Sequence, residues 1–193
     1  QEKIKIGKFI LNRIAPEKKI LSIGCGLGII EKYLYESGLH NITIQDTTDS
    51  PLLWIREIIP KSSIYSGKFP ECLPSNTLYD LIYMSIIDYS FNHNDWNHFL
   101  ISVREKLRDK GRCLIITHNV YLPQNLWKNT LWDLKRVTKK TLSTLKLRTP
   151  DQFWGWTRTK IEHHNSLNAA GLRVQREGSL GDNPSDNKLY WFE

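Results

Sequence analysis

The chain has 193 residues, the size of one domain, and its 40% hydrophobic against 24% charged side chains exclude a disordered segment. Its formal charge of +7 points to an acidic acceptor, a membrane surface or a nucleic acid, against the plainer reading of a solvated basic surface. The longest apolar stretches, such as Leu81 to Ile87, are far shorter than the ~18 residues of a membrane span.

In chain order, Ile6, Phe9, Ile10 and Ile14 recur at helical spacing before Pro16 and predict an N-terminal helix. Lys19 to Ile23 reads as a short buried strand. Ile29, Ile30, Tyr33 and Leu34 form a helical stripe closed by Gly38, the expected left-handed cap. Asn41 to Gln45 is the next strand. Ser50-Pro51 predicts a helix start, running through Trp54 and Ile58 to Pro60. A third strand is expected at Ile64 to Ser66. Tyr79 to Ile86 is apolar on both faces and predicts a central strand. A helix over Asp95 to Leu107 ends near Gly111, and Arg112 to Thr117 is another buried strand.

Thr159 and Glu162 form a capping box for a helix that ends at Gly171. Leu172 to Arg176 and Lys188 to Phe192 predict two last strands without an intervening helix, hence antiparallel. The alternation predicts an α/β fold: one Rossmann-like, mostly parallel sheet with helices on both faces.

The segment LSIGCGLG, Leu21 to Gly28, carries the functional reading. Its glycines at 24, 26 and 28 lie where a buried strand turns into a helix. There they permit positive φ and let the backbone approach a ligand closely. A dinucleotide fingerprint would need its third glycine at position 29, where Ile29 stands, so a nicotinamide reductase is disfavoured. Asp46, 18 residues after Gly28 and just past the second strand, is placed to accept hydrogen bonds from ribose hydroxyls, with Asp49 as the competitor.

This segment resembles the first motif of class I S-adenosylmethionine-dependent methyltransferases. Gly67 through Leu73-Pro74 to Asp80 resembles that family's third-strand loop and fourth strand, and Leu107 to Ile116 its fifth strand and preceding turn. The resemblance implies a seven-stranded sheet with an antiparallel last strand and S-adenosylmethionine as cofactor. It carries cofactor contacts onto Ser22, Gly24, Cys25, Gly26, Gly28, Asp46, Thr47, Lys68, Phe69 and Ser85. At two positions the sequence departs from the family: Ser22 stands where an acid is usual, and Lys68 where an aspartate is frequent.

Methyl transfer asks the protein to position an acceptor and, for a hydroxyl, to take its proton. Asp88 after the fourth strand and His118 after the fifth are the candidate catalytic groups, with Tyr89 beside the acceptor. The single domain is expected to carry a helical cap between the fifth and sixth strands, residues 119–157, longer than a crossover requires. Lys128, Trp132, Lys135, Lys139 and Lys146 share one face of that cap, and seven basic residues between Lys128 and Arg148 meet only Asp133.

Trp132, Trp154 and Arg158 are therefore candidate acceptor contacts. The segment Phe153 to Arg158 is similar to small methyltransferases of glycan and secondary-metabolite pathways. The leading expectation is O-methylation of a small or glycan-like acceptor, extending to an anionic one and to peripheral membrane contact. RNA methylation, or a silent cofactor- or partner-binding module, are the alternatives. No RNA-binding motif or Asn-Pro-Pro-Tyr-type element is present. Cys25, Cys72 and Cys113, with no CxxC pair, predict a reduced, cytoplasmic chain with no disulfide partner, and no Cys/His group has metal-ligand spacing. The chain opens on Gln1 rather than Met, which leaves open whether residues precede it.

Overall fold

A computed structural model describes residues 1–49, 52–118, 155–180 and 189–193. The elements are α1 (Glu2–Leu11), β1 (Ile20–Ile23), α2 (Ile29–Glu36), β2 (Ile42–Asp46), β3 (Ile64–Ser66), β4 (Tyr79–Ser85), α3 (His93–Glu105), β5 (Leu107–His118), α4 (Lys160–Ala169), β6 (Glu177–Ser179) and β7 (Leu189–Phe192). They build a seven-stranded sheet in the order β3-β2-β1-β4-β5-β7-β6. Only β7 runs against the rest, pairing antiparallel with both β5 and β6.

Consecutive side chains along a strand point to opposite faces, which divides the core in two. Ile20, Ile44, Tyr83 and Ile116 pack with Ile6 and Ile10 of α1 and Ile30 and Leu34 of α2. Their strand neighbours Leu21, Ile82, Met84 and Ile115 pack with Trp96, Leu100 and Val103 of α3 and Leu167 of α4. Apolar runs on both faces are what a parallel sheet covered by helices requires. The helix ends follow local chemistry. Gly38 at φ +96° lets Leu39 N–H reach the Leu34 carbonyl at 3.0 Å and its own N–H the Tyr35 carbonyl at 3.1 Å. The Thr159–Glu162 capping box is complete.

Three expectations shift. Among the described residues, the segment ending at Pro60 holds a 3-10 turn at Ile55–Glu57 and no α-helix, and Ser50-Pro51 lie outside them. Burial of Leu52, Ile55 and Ile59 gives the spacing of a helix, and one tight turn satisfies it as well. The fifth strand begins at Leu107 rather than Arg112. Its register with β4 slips between Tyr79 and Leu81, and Lys110 at φ +64° turns the extra residues out as a bulge. The sixth strand is Glu177–Ser179 rather than Leu172 to Arg176. Leu172 still bonds back to the end of α4 through the Leu167 carbonyl, and ladder pairing starts only where the chain meets Glu193. The expected cap, residues 119–157, falls almost wholly outside the described residues.

Candidate cofactor site at the sheet's switch point

The chain leaves β1 toward β2 and β3 on one side, and β4 and β5 lie on the other. Such a switch point opens a crevice beyond the carboxyl ends of the strands. A cleft of about 1120 Å³ lies there, reaching from the glycine turn after β1 to the loop after β3 and the end of β4.

The glycine turn is held from below. Gly24 N–H donates to the Gln45 carbonyl at 2.8 Å, and Gly26 N–H donates to Asp46 Oδ2 at 2.9 Å. Gly24 (φ +67°) has no room for a side chain, because a Cβ would sit 2.6 Å from Ile87 Cγ2. Gly26 (φ +54°) differs: nothing lies within 4 Å of a Cβ there, and the residue lines the cleft. Asp46 and Thr47 also line it, whereas Asp49 lies outside it and is held by Arg56. The far wall is the loop after β3, with Lys68 and Phe69. Gln45 Nε2 donates to the Gly67 carbonyl at 2.6 Å and ties this loop to β2.

At the end of β4, Ser85 lines the cleft, and its buried hydroxyl has no hydrogen-bond partner among the described residues. Ile86 follows at φ +59°, a strained conformation for a β-branched residue. An orphaned buried hydroxyl and a backbone cradle left open at Gly26 are what a polar, nucleotide-sized ligand would complete.

Gly24, Cys25, Gly26, Asp46, Thr47, Lys68, Phe69 and Ser85 thus share one cleft with Tyr89. Two expected contacts stand outside it. Ser22 is buried, and its hydroxyl donates to Glu31 Oε1 at 2.5 Å. Gly28 (φ +65°) opens α2, with its Cβ direction facing Ile55. Burial pushes the Cys25 thiol well up, with Glu31 and Asp46 adding to it, so this cysteine offers backbone rather than thiolate chemistry.

Glu31 was not singled out from the sequence. It is buried, accepts from Ser22 and from Tyr83 OH at 2.6 Å, and has its pKa raised by burial. The available signal was an acid inside the apolar stripe of α2 and a lone hydroxyl inside an apolar strand, since buried polar groups need partners. Lys3 on α1 and His98 on α3 also line the cleft and were not anticipated.

The structure places the acceptor-side candidates differently. Asp88 is buried and does not line the cleft. Its Oδ2 accepts from Thr117 Oγ1 at 2.7 Å, and burial raises its pKa. Arg158 is also buried, where an acceptor contact was expected. Its guanidinium donates to the carbonyls of Asp88 (2.7 Å), Phe91 (2.7 Å) and Asn92 (2.9 Å) and lies 5.1 Å from the Trp96 ring. His118, at the end of β5, is 3.8 Å from Glu2 Oε1 and likewise lies outside the cleft. Tyr89 does line the cleft, and its carbonyl accepts from Trp156 N–H at 2.7 Å. Trp132 and Trp154 lie outside the described residues.

His163 of α4 sits 3.6 Å from Asp88 Oδ2, and its pKa is lowered to about 4, first by burial and then by Arg158. A histidine neutral in the fold and titrating near 6.5 when unfolded binds fewer protons folded. Its contribution is therefore fully present above about pH 6.5 and lost as the pH falls toward about 4, with a size of roughly 3 kcal/mol. Asp88, whose pKa moves up, offsets part of that loss. Urea midpoints at pH 7 and pH 5 should fall steeply for the natural chain and less for His163→Phe; equal slopes would refute the assignment.

A doubly wound seven-stranded sheet with β7 inserted antiparallel, a glycine turn after β1, an acid at the end of β2 and a cleft at the switch point make up the class I methyltransferase architecture. A family model described as a methyltransferase domain matches residues 2–178. The chain belongs to this family of S-adenosylmethionine-dependent methyltransferases.

Solved structures share the fold at low identity. A Leishmania major S-adenosylmethionine-dependent methyltransferase is 15% identical, with TM-score 0.63, covering 99% of this chain and 71% of that one. Mitomycin 7-O-methyltransferase is 16% identical, with TM-score 0.64, covering 99% and 52%. Magnesium protoporphyrin IX methyltransferase from Synechocystis is 12% identical, with TM-score 0.66, covering 100% and 80%. The chain spans about half the length of several such structures. A search of the curated proteins gives no match.

Proposed function

We propose that this chain transfers the methyl group of S-adenosylmethionine to an oxygen of a small-molecule acceptor. The observation that carries the reading is the cleft itself. At about 1120 Å³ it exceeds the ~300–1,000 Å³ of a single-ligand pocket, which leaves room for a donor and a small acceptor together. In this reading Asp46 receives the ribose hydroxyls, the backbone at Gly24 to Gly26 faces the amino-acid end, and Thr47, Lys68 and Phe69 border the base. Ser85 gives its free hydroxyl to the ligand at the end of β4. The bound sulfonium supplies an already activated methyl group, so the chain's task is alignment and exclusion of water.

The choice of oxygen draws on mitomycin 7-O-methyltransferase among the structures of like fold. A glycan-like or anionic acceptor rests on the basic stripe from Lys128 to Lys146 and on the segment Phe153 to Arg158, and stays a proposal from sequence. Calorimetric titration with S-adenosylhomocysteine tests the donor site. Radiolabelled S-adenosylmethionine, offered with phenols, acidic sugars, lipid-linked glycans and RNA, tests the acceptor class. Labelling of RNA alone would overturn the small-molecule reading.

Neither Asp88 nor His118 lines the cleft among the described residues, and in this reading both act on the acceptor only indirectly. Asp88→Asn and His118→Ala should each lower turnover by less than about tenfold, against the 10²–10⁴ expected of a general base. A loss in the larger range with unchanged S-adenosylhomocysteine affinity would restore the base role.

A further inference from the structure

A second cavity, of about 250 Å³, lies between the start of β5, the end of α3 and the chain after α4. It sits at the other end of the sheet from the cofactor cleft. Leu107, on its wall, pairs with Tyr79 at the beginning of β4, while Ser85 ends that strand in the cleft. Seven residues at about 3.3 Å each put roughly 20 Å between them.

The cavity is strongly basic. Arg108 and Arg112 are paired, with Asp80 and Glu193. Arg104, Lys110 and Arg173 are exposed, and their side chains form no ion pair or hydrogen bond among the described residues. Asp109, in the same turn, does not line the cavity. Glu193 also lines the cavity but is held by Arg112, so the three cations without a partner among the described residues repel each other until a further anion joins them. Leu107, Leu172 and Phe192 give the wall an apolar part.

We propose that this cavity binds a small phosphate ester with an apolar or aromatic body, at a site separate from methyl transfer. A phosphate monoester is close to a dianion at neutral pH, and guanidinium groups pair with it in bidentate fashion, which suits three free cations better than a carboxylate does. The apolar wall receives the body. The cavity is closed in by Gly171 to Gln175 on one side and by Leu107 to Cys113 on the other. At about 250 Å³ it is smaller than the ~300–1,000 Å³ of a drug-sized ligand's pocket, which suits one small ester and not a polymer lying across it.

Phenyl phosphate is the probe, titrated calorimetrically into the natural chain and into the double variant Lys110→Glu, Arg173→Glu, with inorganic phosphate and benzoate as controls. Phenyl phosphate should bind more tightly than either control, and the double variant should weaken it by at least about tenfold. S-adenosylhomocysteine affinity should be the same in both proteins, which also reports that the variant is folded; Lys110→Ala with Arg173→Ala should give the same direction with a smaller loss. No binding by the natural chain, equal binding by the variants, or displacement of the probe by S-adenosylhomocysteine would overturn the site. Tighter binding of a short single-stranded RNA or of phosphatidate vesicles, lost in the same variant, would overturn the small-ester assignment in favour of a nucleic acid or a membrane.

Discussion

Gly26→Val is expected to leave the protein folded and to weaken S-adenosylhomocysteine binding at least about 100-fold, or about 2.7 kcal/mol. The residue is held at φ +54°, and a valine there costs on the order of 1–2 kcal/mol of backbone strain. That is tolerable against a typical stability of about 5–15 kcal/mol. The new Cβ points into open space, and Gly26 lines the cleft, so the added side chain takes up room that the ligand needs. Gly38→Val is the matched control. It too has a positive φ, at +96°, and no atom within 4 Å, but it lies away from the cleft. Calorimetry on both variants should show loss of binding at position 26 alone. An affinity within threefold of the natural chain's in folded Gly26→Val would remove the glycine turn from the cofactor site.

Arg158→Ala should destabilise the fold by about 3–5 kcal/mol, the range for losing one member of a buried charged network. Three carbonyls, of Asp88, Phe91 and Asn92, lose their charged donor together. Trp96, itself fully buried, loses the group stacked near its ring. Because the clamped loop supplies Tyr89 and Phe91 to the cleft, acceptor turnover should fall as well. Arg158→Lys keeps the charge but not the planar fork, and should recover only part of the stability. The measurement is a urea unfolding midpoint at unchanged slope. An alanine variant of natural stability, with a raised Michaelis constant for the acceptor, would instead return Arg158 to the acceptor-contact role that its position in the sequence suggests.

The buried polar residues divide by how their partners are reached. Thr159 caps α4 through Glu162, three residues away, and that pairing is legible in four consecutive letters. Arg158, its neighbour in sequence, finds Asp88 across 70 residues, and nothing local distinguishes a guanidinium that turns inward from one that faces an acceptor. The same holds for Ser22. Standing where an acid is usual, it looks like a weakened cofactor contact; in the fold it is one of two hydroxyls donating to Glu31, the other coming from Tyr83 52 residues away from that acid.

The sequence by itself determined the alternation of strands and helices, the glycine turn after β1, the acid at the end of β2 and the antiparallel final strand. Each of these is written in local periodicity or in backbone conformations that only particular residues tolerate. Tertiary structure alone decided that Asp88, Arg158 and Ser22 turn into the protein, that the segment before Pro60 closes as a 3-10 turn, and that β6 starts five residues later than its apolar pattern suggests. Those outcomes depend on which distant group satisfies a buried charge or carbonyl, and on where a strand first meets its partner. Such free energies arise between segments and leave no mark on the residues next in line.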